Sequence, residues 1–336
     1  MSELRQDPIT KRWVVIANAR NNRPVHLKKN AEENKPGVNP FAPGNESLTP
    51  PEVFAFRKEG TTSDTLGWWV RVIPNKFAAV SLDVTCDEDL SGFHKKKPAV
   101  GSHEVIVETP DEHADIALLP HDHMTDIWRA YRERMQTLFQ NPVTEYVQIF
   151  RNQGYGGGAS LPHPHSQLIS LPLVPKNIEE EVYHCGQYAE INGRCLFCDL
   201  IVEEQRTKTR IVAENEDFIA FCAYAPRFPF ETWIAPKNHA ADFSNATENM
   251  LTNIAALYQE VLQRLAQVLG KLDYNMVLHT APRNLKSPLA YHWHVEILPR
   301  HVQRAGFEFG SGCYLVTTSP EQAAGWMRES NNPEPA

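Results

Sequence analysis

Two stretches of this chain follow one plan, and that duplication narrows the folds open to it. His103-Glu-Val-Ile-Val-Glu-Thr-Pro-Asp-Glu-His113 and Phe230-Glu-Thr-Trp-Ile-Ala-Pro-Lys-Asn-His239 are each a β-branched or aromatic run, a proline turn and a histidine. A helix-like segment follows each, Met124–Phe139 and Glu248–Leu269. In the first, Ile127, Tyr131, Met135 and Leu138 recur at three- and four-residue intervals, the mark of an amphipathic helix. A strand comes next in both, Tyr146-Val-Gln-Ile-Phe150 and Tyr274-Asn-Met-Val-Leu278. Each half then closes on a His-x-His strand, at His163-Pro-His165 and His292-Trp-His294. This predicts an α+β chain built from a duplicated unit, each a largely antiparallel sheet with one long helix. The expected units are residues 1–175 and 176–336, which suits 336 residues at about 150 per domain. Pro172–Arg194, with its acidic Glu179-Glu-Glu181, reads as the connector.

Only the first half carries a glycine loop ahead of its histidines: Gly154-Tyr-Gly-Gly-Gly-Ala-Ser-Leu-Pro-His-Pro-His-Ser-Gln-Leu168. Glycines let backbone N–H groups approach phosphate oxygens closely and form an anion nest. An imidazole that is mostly neutral at pH 7 is a competent nucleophile toward phosphorus. Glycine loops alone are common in plain turns, and two histidines two apart also suit a metal. The full string is more specific, and it points to histidine attack on a nucleotide phosphate.

Composition removes several classes of function. Apolar residues make up 42% of the chain and the net charge is −8, with a pI near 6.0. That is an ordinary globular balance, without the basic face of a nucleic-acid binder. The run His94-Lys-Lys-Lys97 reads as a solvated loop. No stretch of about 18 apolar residues exists to span a membrane. Met1-Ser-Glu-Leu-Arg-Gln-Asp7 lacks an apolar signal core, so the expected address is the cytoplasm and the six cysteines should be mostly reduced. Only Cys195 and Cys198 have ligand-like spacing. Two buried apolar thiols would read the same way, but the repeat sets them beside His239 and His292. The four together predict a closed Cys2His2 zinc site, structural in role, in the C-terminal half. The first half has Asn39 and Ala42 at the equivalent points, so one zinc is expected, with His113 and His163 satisfied by hydrogen bonds.

With these residues assembled, the sequence resembles the galactose-1-phosphate uridylyltransferase family of the histidine-triad superfamily. The likeness runs along nearly the whole chain, through Asp7-Pro-Ile-Thr-Lys-Arg-Trp13, Arg20-Asn-Asn-Arg-Pro24, Asn39-Pro-Phe-Ala-Pro-Gly44, Arg71-Val-Ile-Pro-Asn-Lys-Phe77 and His163-Pro-His-Ser-Gln167. The ending, Ala305-Gly-Phe-Glu-Phe-Gly-Ser-Gly-Cys-Tyr314, is closer to the family's ADP-glucose phosphorylase branch. The resemblance implies two histidine-triad-like units in one chain, often paired as a homodimer. It implies ping-pong nucleotidyl transfer between a nucleotide sugar and a sugar 1-phosphate, with His165 as the nucleophile.

Other roles follow position by position. Gln167 is implied as the amide donor to the nucleotidyl phosphate and Ser160 as a hydroxyl donor, with Ser166, Asn152, Gly158 and Ala159 lining the same pocket. Asn75 and Phe77 match positions that hold base and ribose, and Arg20 and Arg23 match a phosphate-gripping pair. His294 looks like a vestigial copy of the nucleophile, since Glu296 stands where Gln167 would be, and His279 reads as a core histidine. Lys76 departs from an acidic residue common in the family, and Glu308, Ser311, Cys313 and Tyr314 replace its usual sugar-reading set. The leading reading is a UDP-hexose:hexose-1-phosphate uridylyltransferase. The alternatives are an ADP-glucose phosphorylase or related adenylyltransferase, a dinucleotide hydrolase, and a zinc-stabilised nucleotide-binding protein without turnover.

Overall fold

Alternating apolar residues form strands and two long amphipathic stretches wind into helices, so the repeat visible in the sequence becomes a repeat in space. The computed structural model describes residues 3–16, 38–83, 88–91, 93, 94 and 96–330. Arg20 and Arg23 lie outside the described residues. A short hairpin, β1 (Glu3–Gln6) and β2 (Trp13–Ile16), opens the chain, and the first half continues with β3 (Phe54–Arg57), β4 (Trp68–Pro74) and β5 (His103–Val107). Helix α1 (His121–Phe139) leads to β6 (Tyr146–Gln153) and β7 (His165–Leu171). The predicted connector is itself largely helical, as α2 (Lys176–Asn192), followed by α3 (Leu196–Thr207). The plan then repeats as β8 (Ile211–Glu214), β9 (Phe218–Cys222), β10 (Thr232–Pro236), α4 (Glu248–Leu269), β11 (Tyr274–His279) and β12 (His294–Pro299). A short α5 (Gly306–Ser311), β13 (Tyr314–Val316) and α6 (Pro320–Glu329) close the described chain.

Ten strands form one sheet in the order β3-β4-β5-β7-β6-β11-β12-β10-β9-β8, with every neighbouring pair antiparallel. The order reads the same from either edge once each strand is matched to its repeat. The seam is β6 against β11, with Ile149 opposite Leu278, Phe150 opposite Val277 and Arg151 opposite Met276. β13 runs parallel to β2 in a separate three-stranded sheet.

Helices α1 and α4 lie together on one face. Their buried residues, among them Ile127, Trp128, Tyr131, Leu251, Tyr258 and Leu262, form one core with Val147, Ile149, Leu168, Met276 and Val295 from the strands. Each such side chain contributes about 1.5–3 kcal/mol by leaving water. The Thr247 hydroxyl accepts from the Met250 N–H to start α4, and Gly270 ends it at φ +73°. The opposite face is treated unequally. Over the second half, Phe197 and Ile201 of α3 and Cys185 of α2 pack on Phe221, Trp233 and Ala235. Over the first half a smaller cluster, Phe41, Trp68, Ile73, Val105 and Val107 with Leu161, covers part of the sheet. Among the described residues no helix belongs to that cluster, and on this more accessible face Asn152, Gln167 and Ile169 are half-buried.

Candidate active site and metal centre

Side chains alternate between faces along a strand. On β7 this sends Leu168 into the helical core and sets His165 and Gln167 on the accessible face. His165 is buried, with the Phe41 ring 5.4 Å away centre to centre. Its Nδ1 lies 2.8 Å from the carbonyl oxygen of His163. A carbonyl can only accept, so Nδ1 carries the proton and Nε2 keeps its lone pair. Burial lowers the His165 pKa, with the His163 carbonyl and Glu108 pulling the other way. The ring is therefore neutral at neutral pH and presents a nucleophilic nitrogen. On the helical face beneath lies a buried pair, Arg151 Nε to Glu108 Oε2 at 2.8 Å, with Tyr131 donating to Glu108 at 3.0 Å.

Asn152 shares the accessible face, where its Oδ1 accepts from Asn275 Nδ2 at 2.8 Å; the same Nδ2 donates to the Gly157 carbonyl at 2.7 Å. The glycine loop is thus tied to the seam between the halves. Its tightness is steric: a Cβ on Gly154 would sit 1.9 Å from Asp273 Oδ1, and one on Gly157 2.3 Å from the Gln153 carbonyl. Gly154 and Gly158 also adopt φ of +68° and +83°. Three N–H groups expected to be free for an anion nest are instead engaged within the protein. Gly156 N donates to Asp273 Oδ2, Gly158 N to the Tyr155 carbonyl and Ala159 N to the Gly154 carbonyl. Gly158, Ala159 and exposed Ser160 therefore offer a shaped rim and a hydroxyl.

Ser166 is a correction. Standing between His165 and Gln167, it points through the sheet and is fully buried on the helical side, away from the face a substrate would use. Asn75 sits at the end of β4, its Oδ1 accepting from the Phe77 N–H at 2.9 Å, while Phe77 itself is 85% exposed. His103, given no role above, places Nε2 2.8 Å from Gln167 Oε1. The signal for it was available: it opens β5 on the same face, one diagonal step from Gln167. Glu308, on α5, accepts from the Ala305 N–H at 2.9 Å.

In the second half Cys195, Cys198, His239 and His292 converge, with all four ligand atoms within 4.8 Å of one another. Cys198 Sγ lies 3.6 Å from His239 Nδ1 and from His292 Nδ1, and Cys195 Sγ is 3.8 Å from His292 Nδ1. Zinc bonds of about 2.3 Å to sulfur and 2.0 Å to nitrogen put tetrahedral ligand atoms about 3.5 Å apart, so the set fits that ion. His292 Nε2 donates to the Pro236 carbonyl at 3.0 Å, leaving Nδ1 as a ligand. The Cys198 thiol, donating to Cys195, and nearby His292 hold the Cys195 sulfur well below its ordinary pKa. The equivalent place in the first half is held differently. Asn39 Nδ2 donates to His163 Nδ1 at 3.0 Å and to Glu112 at 2.6 Å, and His163 Nε2 donates to the Thr109 carbonyl at 2.7 Å. His163 is satisfied as expected. His113 is not: its side chain is exposed, with only Glu112 at 3.7 Å.

A family model described as galactose-1-phosphate uridyl transferase, N-terminal domain, matches residues 1–175. The chain is 33% identical to the ADP-glucose phosphorylase of Arabidopsis thaliana over 97% of its own length and 92% of the relative's. The chain belongs to the galactose-1-phosphate uridylyltransferase family. As a member of that family it is a nucleotidyltransferase. It is also 27% identical to the galactose-1-phosphate uridylyltransferase of Thermotoga maritima, over 98% of this chain and 99% of that one. Among solved structures, an ADP-glucose phosphorylase from Arabidopsis thaliana with bound ADP-glucose superposes at a TM-score of 0.84, with 31% identity and 98% of each chain covered. A second model, described only as a domain of unknown function (DUF4921), matches residues 99–330.

A second buried cluster lies beside the candidate metal centre. Glu181 of α2, His279, His294 and Glu296 bring their ligand atoms within 4.8 Å. His279 Nδ1 is 3.0 Å from Glu181, the Tyr291 hydroxyl donates to Glu181 at 2.6 Å, and Arg227 holds Glu296 at 2.6 Å and Glu231 at 2.7 Å. The His294 Nδ1 donates to the His292 carbonyl at 3.1 Å, as in the first half, but its Nε2 is buried without a hydrogen-bond partner among the described residues.

Proposed function

We propose that this chain is a UDP-hexose:hexose-1-phosphate uridylyltransferase working through a uridylyl-His165 intermediate. One observation carries the reading: the His163 carbonyl fixes the His165 proton on Nδ1, which leaves the Nε2 lone pair on the face shared with Gln167 and Asn152. In the first step Nε2 attacks the α-phosphorus, and the bond to the bridging oxygen breaks with its electron pair leaving on the sugar 1-phosphate. The carbonyl at Nδ1 steadies the positive charge that the ring acquires. In the second step a phosphate oxygen of another sugar 1-phosphate attacks the same phosphorus, and the N–P electron pair returns to Nε2. Gln167, Asn152 and Ser160 donate to the nucleotidyl phosphate as its charge shifts. The phosphate changes partner twice in one site, and covalent catalysis suits that exchange.

Cys195, Cys198, His239 and His292 would hold one zinc, which ties α3 to the loops before α4 and β12 and leaves no ligand position open. We read residues 1–175 as the unit carrying the nucleophile and 176–336 as the unit carrying the metal. A homodimer acting in the cytoplasm completes this reading.

A second reading has its own support. The Arabidopsis thaliana relative and the solved structure with bound ADP-glucose both match almost the whole chain, which favours adenylyl transfer to inorganic phosphate. Intact mass under native, non-acidic conditions, after separate incubation with UDP-glucose and ADP-glucose, separates the two. A uridylyl adduct with the first donor only supports the uridylyltransferase. An adenylyl adduct instead moves the protein to the phosphorylase reading, and no adduct with either removes both.

A further inference from the structure

We propose that His103 is a positioning residue for catalysis: it sets which end of the Gln167 amide faces the nucleotide. The proposal rests on the transfer reading above, in which Gln167 donates to the nucleotidyl phosphate.

Hydrogen-bond chemistry decides the orientation. The Ala79 backbone N–H donates to His103 Nδ1 at 3.1 Å. That nitrogen therefore carries a lone pair, and a neutral ring must have its proton on Nε2. Nε2 faces the end of the Gln167 side chain at 2.8 Å. Two donors cannot share so short a contact, so Gln167 has to present its oxygen there. Its NH2 group is then turned along the open face of β7, where His165 stands one alternation away. A glutamine free to rotate would spend part of its time with its oxygen toward the phosphate, and that arrangement repels the substrate.

The register explains why a residue so far along the chain can do this. Val105 is the direct partner of Gln167, and His103 is two residues earlier on β5, on the same face. The same histidine also anchors the preceding loop. Asn75 N donates to the His103 carbonyl at 2.7 Å, and Ala79 N–H holds the ring at Nδ1. The Asn75 NH2, turned this way because its Oδ1 accepts from Phe77 N–H, stands 3.2 Å from Nε2 as a second donor and makes no hydrogen bond to it. The loop predicted to hold the base, from Asn75 to Ala79, is thus fastened to the side chain that fixes the catalytic amide. Seating of the base and alignment of the donor at phosphorus share one imidazole.

The experiment measures the rate of nucleotidyl-adduct formation under single-turnover conditions, with whichever donor labels the wild-type protein. His103→Ala should slow adduct formation by about 10–100-fold at saturating donor, while the concentration giving half-maximal rate moves less than about threefold. His103→Gln carries an N–H near the position of Nε2 and should recover most of the rate. In a Gln167→Ala background, His103→Ala should add less than about a twofold further loss, because both changes remove one device. Three results would overturn the assignment: independent, multiplying losses in the double variant; a loss confined to donor affinity; or His103→Gln no faster than His103→Ala. A wild-type protein that forms no adduct with either donor overturns the transfer reading itself and takes this assignment with it.

Discussion

His165 and His294 occupy equivalent places on equivalent strands, each with Nδ1 donating to the carbonyl two residues back. What surrounds them has diverged. Beside His165 the neighbouring same-face positions are Gln167 and, one strand over, His103, a neutral amide and imidazole. Matching β10–β12 to β5–β7 places Glu296 and Glu231 at those same points. Two carboxylates there would repel a phosphate, and Arg227 bridges them in a largely buried network. Phe197 and Trp233 then pack on the His294 ring. Both rings are buried, but among the described residues no helix covers His165. His294 lies under α3, where burial and the neighbouring His279 lower its pKa to about 4. On the function proposed here, a His-x-His strand is a scaffold, and the residues two positions away decide whether it can receive a phosphate.

The sharpest way to break this comparison is to remove each histidine. His165→Gly should abolish adduct formation, a loss of at least about 10⁴-fold, with folding and zinc content unchanged. His294→Gln should still form the adduct in the same intact-mass assay. An adduct surviving in His165→Gly would mean that the halves have been assigned the wrong way round.

The candidate metal centre and its first-half counterpart give a smaller contrast. Metal analysis of the wild type should return about one zinc per chain. Cys195→Ser should lose it and lower Tm by about 10 °C. Asn39→Ala leaves His163 Nδ1 without its donor, a cost of about 1–3 kcal/mol, and should leave zinc content unaltered. Two zinc ions per chain would show that the first half binds metal through ligands other than those recognised.

The smallest expected effect is on pH. Burial would lower the pKa of His279, but Glu181 and Glu296 outweigh it and hold the ring up to about 9. A pKa raised above the ordinary 6.5 stabilises the fold fully below that pH, and the contribution is lost as pH rises toward 9. Tm should fall by about 5 °C across that interval, and Glu181→Gln should flatten the slope. An unchanged slope in that variant would exclude the ion pair as its source.

Much of this was legible beforehand. Helical spacing placed α4 at Glu248–Leu269, where it is observed, and gave α1 apart from its first turn. The four proposed zinc ligands were found by comparing the halves, because ligand spacing is local on the Cys side and the repeat supplied the rest. What stayed hidden depended on contacts between distant segments. Glu181 looked like part of an acidic connector, yet α2 carries it under β11 and β12. Arg227 had no motif at all. Composition cannot show which N–H groups the glycine loop itself engages, so an anion nest and a self-bonded turn look alike in the sequence. Ser166 differs from these, since period-two alternation alone separates it from His165 and Gln167.

The seam between β6 and β11 has one more consequence. Phe150 and Val277 are equivalent positions that face each other, and the pairs on either side exchange partners symmetrically. This is the self-complementary contact of two identical chains, here made within one. In a true pair of identical subunits a single gene writes both sites, so any change made to spare one is forced on the other. Joining the copies end to end removes that bond of inheritance. In this chain one half carries Asn39 and Ala42 with a histidine that no described helix covers, and the other carries Cys195 and Cys198 with a histidine packed under α3.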